Sequence, residues 1–121
     1  MHYTVAVLGA SPKEERYSNK AVFELTQHGH TVFPIHPTAA QIHGQKCYQN
    51  LISLPSEIHT LTLYVGADKS TQLQNEILQL QPKRIIMNPG AENDELEAAA
   101  QAQQIEVVRG CTLVMLRLGQ F

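Results

Sequence analysis

Short apolar runs alternate with helical stripes along this chain. Residues 3–8 (YTVAVL) are a β-branched run ended by Gly9, the pattern of a buried strand. Between residues 18 and 28, Ala21, Val22 and Leu25 recur at three- and four-residue steps and give one helical face. Gly29 follows, where a helix end favours a left-handed residue. Residues 31–35 read as a second strand, closed by Pro37. Residues 36–48 show no period; Gly44 marks a turn, and a short strand is expected near Cys47 and Tyr48. A helical turn at 51–54 precedes Pro55, and residues 60–65 predict another strand. Asp68 or Ser70 is expected to cap a helix with Leu73, Ile77 and Leu80 inward, ended by Pro82. Residues 84–87 predict a strand. Asn93 then opens a helix with Leu96, Ala99 and Ala100 inward, and residues 105–108 predict a last short strand. The apolar tail, residues 111–118, predicts a terminal helix.

Strands alternating with helices of about ten residues imply repeated βαβ units, and hence a parallel sheet covered on both faces. The expected fold is α/β: one Rossmann-like, doubly wound domain over residues 1–121, with a mainly parallel sheet of about five strands. Ligands of such sheets lie at the carboxyl ends of the strands, near the point where strand order reverses. The loops after Leu8, Ile35, Val65 and Met87 are therefore the candidate site.

Composition narrows the ligand. A chain of 121 residues holds one core and is too short for two. A net charge of -2 offers no electrostatic footprint for nucleic acid or an anionic membrane, and no apolar run is long enough to span a bilayer. Any anion must be held locally. The start, MHYTVAVLG, lacks the basic residues and long apolar stretch of a signal peptide, so a cytoplasmic, reducing setting is expected. Cys47 and Cys111 fit no metal or redox spacing. The expected partner is a small-molecule nucleotide, with no nucleic acid and no membrane; a homodimer through the apolar tail stays open.

The first loop, GASPKEERYSN, carries the clearest chemistry. Gly9 lets the backbone turn tightly against a phosphate, Ala10 is small, and Ser11 adds a hydroxyl. The following helix start presents unpaired N–H groups, with Lys13 and Arg16 nearby as mobile positive charge. Ser18 or Asn19 is expected to cap that helix, to bind phosphate, or both. The same residues also suit an ordinary strand-to-helix turn. In the second loop a dinucleotide site would place Asp or Glu at the strand end; this chain has His36, then Pro37 and Thr38. His36 and His43 gather no carboxylate or cysteine, so no metal site is expected. In the third loop Val65, Gly66 and Ala67 let a flat adenine or a pantetheine arm lie against the backbone, or simply make a tight turn. In the fourth, Pro89 and Gly90 fix a turn while Asn88 is placed to aim its amide into the cleft. Glu92 is the one carboxylate retained as an acid or base. No nucleophile–base pair is evident, so no catalytic residue is assigned, and Cys111 after Gly110 reads as a buried thiol.

Taken in order, VAVLGAS, HGHTVFPIHP, IHGQKCYQNLISLP, LTLYVGADKS, IIMNPGAENDELEAAAQAQQIEVV and GCTLVML resemble the CoA-binding domain family. These are small Rossmann-like proteins similar to the N-terminal domain of the succinyl-CoA synthetase alpha subunit. The resemblance covers essentially the whole chain. It implies coenzyme A as ligand, with Gly9, Ala10 and Ser11 cradling the pyrophosphate, and Lys13 or Arg16 assisting. Pro37 and its neighbours would border the adenosine and 3′-phosphate. Val65, Gly66 and Ala67 would line the adenine or pantetheine path, and residues 88–91 the far wall. The chain departs from the family pattern where an asparagine before the proline is His36 and a basic residue after it is Thr38. Those two changes imply a weaker hold on the 3′-phosphate. The chain also lacks the family's arginine-proline pair near residue 66, and together the differences imply a divergent branch that binds CoA poorly or prefers another nucleotide. Ligases containing this domain carry their phosphorylated histidine and nucleotide-grasp region elsewhere. The resemblance therefore implies non-catalytic binding of CoA, an acyl-CoA or a related nucleotide. The alternative is a thiol-dependent enzyme or redox-regulated protein acting with CoA through Cys111 or Cys47.

Overall fold

Strand and helix alternate along the computed structural model, which describes residues 2–121, except between residues 31 and 63, where a hairpin and a 3-10 turn stand in place of a helix. In chain order the elements are β1 (Thr4–Leu8), α1 (Tyr17–Gln27), β2 (Thr31–Ile35), β3 (Gln41–Ile42), β4 (Gln45–Lys46) and a 3-10 turn at Leu51–Ser53. Then follow β5 (Thr60–Leu63), α2 (Ala67–Gln72), α3 (Gln74–Leu80), β6 (Arg84–Met87), α4 (Asp94–Ala102), β7 (Glu106–Arg109) and α5 (Thr112–Arg117). Five strands form one parallel sheet in the order β2-β1-β5-β6-β7. The chain first steps outward from β1 to β2 and then resumes on the other side of β1 at β5. That reversal makes the β1/β5 boundary the switch point.

Side-chain alternation on β1 divides the core. Ala6 and Leu8 pack with Leu61, Leu63, Ile77, Ile85, Met87, Leu96 and Ala100 on one face. Val5 and Val7 pack with Ala21, Val22, Leu25, Leu113 and Leu116 on the other. The second face turns polar toward β5 and β6, where Thr60, Thr62, Arg84 and Asn88 are all buried. Buried polar groups need partners, and Asn88 supplies several. Its Nδ2 donates to Thr62 Oγ1 (2.7 Å) and to the Leu63 carbonyl (2.8 Å), while its Oδ1 accepts the Thr112 N–H (2.8 Å). That last bond serves the first N–H of α5, which no residue of its own helix can satisfy.

Helix boundaries mostly follow the sequence pattern, with instructive exceptions. Gly29 (φ +85) ends α1, donating to Thr26 O while His30 N–H donates to Leu25 O. Neither Ser18 nor Asn19 caps α1, however; Arg16 occupies the cap position without a side-chain bond. The single helix expected after Val65 is broken at Leu73 into α2 and α3. Gly66 occupies its N-cap, so Asp68 falls inside the first turn and Ser70 is buried beneath it. Asn93 caps α4 as expected, accepting the Leu96 N–H (3.0 Å), and its amide also reaches Ser70 Oγ at 2.7 Å. The stretch read as irregular contains a hairpin of β3 and β4, turned at His43 (φ 48) and Gly44 (φ 78). Tyr48 then pairs with the outer edge of β2, its N–H donating to Pro34 O and its carbonyl accepting the His36 N–H.

An aromatic stack lies at the amino ends of the strands, away from the candidate loops. The Tyr3 ring stacks on His59 at 4.0 Å and on His30 at 5.6 Å, and Phe121 lies 5.1 Å from His30. The Arg84 guanidinium sits 4.5 Å from the Phe121 ring centroid. Burial lowers the pKa of His30, with His2, His28 and Arg84 adding repulsion; burial and Arg84 likewise lower that of His59.

Two outcomes are expected. Asn88→Ala strands the Thr112 N–H and the Leu63 carbonyl, and urea unfolding is expected to show a loss of about 3 kcal/mol. A change below about 0.5 kcal/mol would rule out the clamp. For the histidines, a folded pKa below the unfolded value means that unfolding takes up protons on the acid side. Stability is therefore present above the unfolded value of 6.5 and declines as pH falls through it toward the lower folded values. Thermal melts between about pH 7.5 and about pH 5 are expected to show this decline, flattened in a His30→Asn/His59→Asn double variant.

Candidate functional site

A cleft of about 280 Å³ opens at the β1/β5 switch point. Its floor is Leu8, Gly9 and Ala10 from the end of β1, and Ile35 and Pro37 from the end of β2. One wall is Gln49, Asn50 and Leu51, held in place because the Asn50 side chain caps the 3-10 turn through the Ser53 N–H (2.9 Å). The opposite wall is Val65, Lys69, Leu73 and Glu76, from the loop after β5 and from α2 and α3. Past Leu51 and Glu76 the cleft runs into a shallower groove beside Leu54, Pro55 and Leu80. The surface is mainly apolar with a few polar groups at its rim, the usual make-up of a small-molecule site.

Gly9 is what allows the floor to form. Its φ is +90, a conformation that side-chain-bearing residues rarely adopt. A Cβ there would lie 2.8 Å from Val65 Cγ1 and 3.1 Å from the Tyr64 carbonyl carbon and oxygen. Glycine is thus required twice over: for the turn, and for the approach of β1 to the β5 loop. The rest of the first loop is braced from within. Ser11 Oγ accepts the Lys13 N–H (3.1 Å), and the Ser11 carbonyl accepts from Asn19 Nδ2 (2.9 Å). Asn19 Oδ1 is in turn 2.7 Å from His43 Nε2, which ties the loop to the β3–β4 hairpin.

Of the sequence candidates, Gly9, Ala10, Pro37 and Val65 are brought together in the lining of the cleft. Ser11, Lys13 and Arg16 stand beyond its lining, and Lys13 and Arg16 are exposed. Ser18 is buried against the core and is not available to phosphate. His36 lies at the mouth with Nδ1 accepting the Thr38 (3.1 Å) and Ala39 (2.8 Å) N–H groups, which leaves the ring hydrogen on Nε2. Gly66 and Ala67 are exposed at the start of α2, beside the cleft.

The fourth loop departs from expectation. Asn88 is 2 % exposed with its amide turned into the sheet, so it does not point into the cleft. Pro89 and Gly90 follow it on the far side and form no part of the cleft lining. The Glu92 carboxylate accepts the Gly90 N–H (2.9 Å), which makes it a turn clasp. Cys47 and Cys111, both free, pack against the second-face cluster and lie outside the cleft; burial raises the Cys47 pKa and disfavours its thiolate.

Lys69, Glu76, Gln49 and Asn50 line the cleft but were absent from the candidates drawn from sequence. A signal for part of this set exists: Lys69 and Glu76 stand at i−4 and i+3 from Leu73 of the core stripe, so helical spacing places them beside it.

A family model described as CoA binding domain matches residues 3–117. Two ADP-forming acetate–CoA ligases of Archaeoglobus fulgidus align with the chain. Ligase I is 32% identical over 63 residues, which is 52% of the chain and 9% of the ligase. Ligase II is 26% identical over 103 residues, covering 84% of the chain and 15% of the ligase. The chain thus spans a small fraction of these curated relatives. A crystal structure described only as an uncharacterized protein superposes with a TM-score of 0.94 at 37% identity, covering 100% of this chain and 99% of that one.

Gly9→Ala is expected to destabilise the fold by about 2–3 kcal/mol, since it adds a steric clash to an unfavourable φ. Gly29→Ala, at φ +85 with nothing within 4 Å, is expected to cost only about 1 kcal/mol. Equal losses in urea melts would show that the close approach to Tyr64 and Val65 carries no weight.

Proposed function

The chain belongs to the CoA-binding domain family, and from that premise we propose that it binds coenzyme A or a related adenine nucleotide in the switch-point cleft without catalysing a reaction on it. The observation that carries this reading is the cleft itself, which opens at the switch point on a floor shaped by the Gly9 turn (φ +90). The apolar lining formed by Leu8, Ile35, Pro37, Leu51, Val65 and Leu73 suits a flat base or an aliphatic arm. At about 280 Å³ the cleft takes only one end of a CoA molecule. The remainder lies along the surface, past the loop that bears Lys13 and Arg16.

The ligases to which the chain is similar are many times longer than this chain. The module proposed here corresponds to their CoA-binding part alone. Among the described residues no group of three or more His, Cys, Asp and Glu is placed to hold a metal, and no helix is long and apolar enough to cross a membrane. Bound ligand would serve as cargo or as a signal rather than as a reactant.

Calorimetry and thermal melts with CoA, dephospho-CoA, NAD and ATP test the proposal. Ligand at about a hundred times its Kd is expected to stabilise the fold by about 2.7 kcal/mol. If no ligand raises Tm at about millimolar concentration, the binding proposal falls.

A further inference from the structure

The charges of the cleft are sparse and sorted. Lys69 is the one cationic side chain in its lining and Glu76 the one carboxylate. Neither takes part in the ion pairs among the described residues, which join Arg109 to Asp94 and Glu97, and Arg117 to Glu24. Lys69 lies within α2, which begins just after Val65, the residue pressed against Gly9. It therefore belongs to the Gly9 end of the cleft. Glu76 lies seven residues farther along, in α3, where the cleft passes into the adjoining groove.

The loop after β2 adds no second anion site. The Thr38 and Ala39 N–H groups, which would otherwise point outward, are both held by His36 Nδ1. Lys46, the basic residue of the neighbouring hairpin, extends over the Tyr48 ring at 5.2 Å. One end of the cleft thus attracts an anion, and the other repels one while offering an acceptor to hydroxyl or amine donors.

We propose that Lys69 and Glu76 make the cleft selective for an adenine nucleotide with one diphosphate and a free ribose 3′-hydroxyl, of the dephospho-CoA type, over its 3′-phosphorylated counterpart, CoA. Lys69 pairs with the diphosphate beside Gly9. Glu76 accepts from the ribose hydroxyls or the adenine amine and opposes a 3′-phosphate. This selectivity rests on the binding proposed above and concerns only which nucleotide the same cleft prefers.

Isothermal titration of the intact chain against CoA and dephospho-CoA provides the test. Dephospho-CoA is expected to bind about fivefold more tightly, the scale of one partly exposed charge contact. Glu76→Gln is expected to strengthen CoA binding by about fivefold while changing dephospho-CoA by less than about twofold, so that the gap closes. Lys69→Gln is expected to weaken both by about fivefold. Equal or tighter binding of CoA by the unaltered chain, or a ratio unmoved by Glu76→Gln, would overturn the selectivity and leave the binding proposal standing. Failure of both ligands to bind would overturn the two together.

Discussion

Two asparagine side chains hold the carboxyl edge of this sheet in register. Asn88 joins the end of β6 to β5 and to the start of α5, and Asn93 joins the start of α4 to α2 through Ser70 and Thr71. Each occupies a buried position where an unmet polar group is costly, so each fixes the elements it touches rather than tolerating a range of positions. The wall of the cleft that bears Lys69 and Leu73 stands on α2, and α2 stands on Asn93. The site is thus built partly from a loop that never enters it.

The same logic runs through the opening loop. Its hydrogen bonds are largely internal, with Ser11, Lys13 and Asn19 serving one another and His43 bracing the hairpin. A loop that is already tied down loses little conformational freedom when a ligand arrives. Gly9 supplies the shape, and the surrounding side chains keep it.

The architecture was legible because period and punctuation are local properties. The β-branched run before Gly9, the stripe at Ala21, Val22 and Leu25, and the cap at Asn93 each declare themselves within a few residues. The cleft was legible at the strand ends, where Gly9, Ala10, Pro37 and Val65 each follow closely on a strand of the sheet. Asn88 misled because its partners, Thr62 and Thr112, lie 26 and 24 residues away, and only the fold brings them within reach. Asp68 misled for another reason: Gly66 starts α2 two residues early, so a good capping residue falls inside the first turn. Lys69 and Glu76 were hidden by their neighbours, because the core stripe of Leu73, Ile77 and Leu80 accounts for the segment without them.

Pro34 sits in the edge strand β2, where its carbonyl points outward to Tyr48 and its nitrogen, on the same side, has no hydrogen to offer. The edge beyond it is already claimed, since Tyr48 donates to the Pro34 carbonyl and accepts the His36 N–H, bracketing Ile35. The opposite edge, β7, is four residues long with Glu106 and Arg109 at its ends. The sheet therefore ends on one side in a proline shielded by its own chain and on the other in a short, charged strand. It offers little template for a stray strand, and growth of the sheet from one molecule into the next is closed off at both edges.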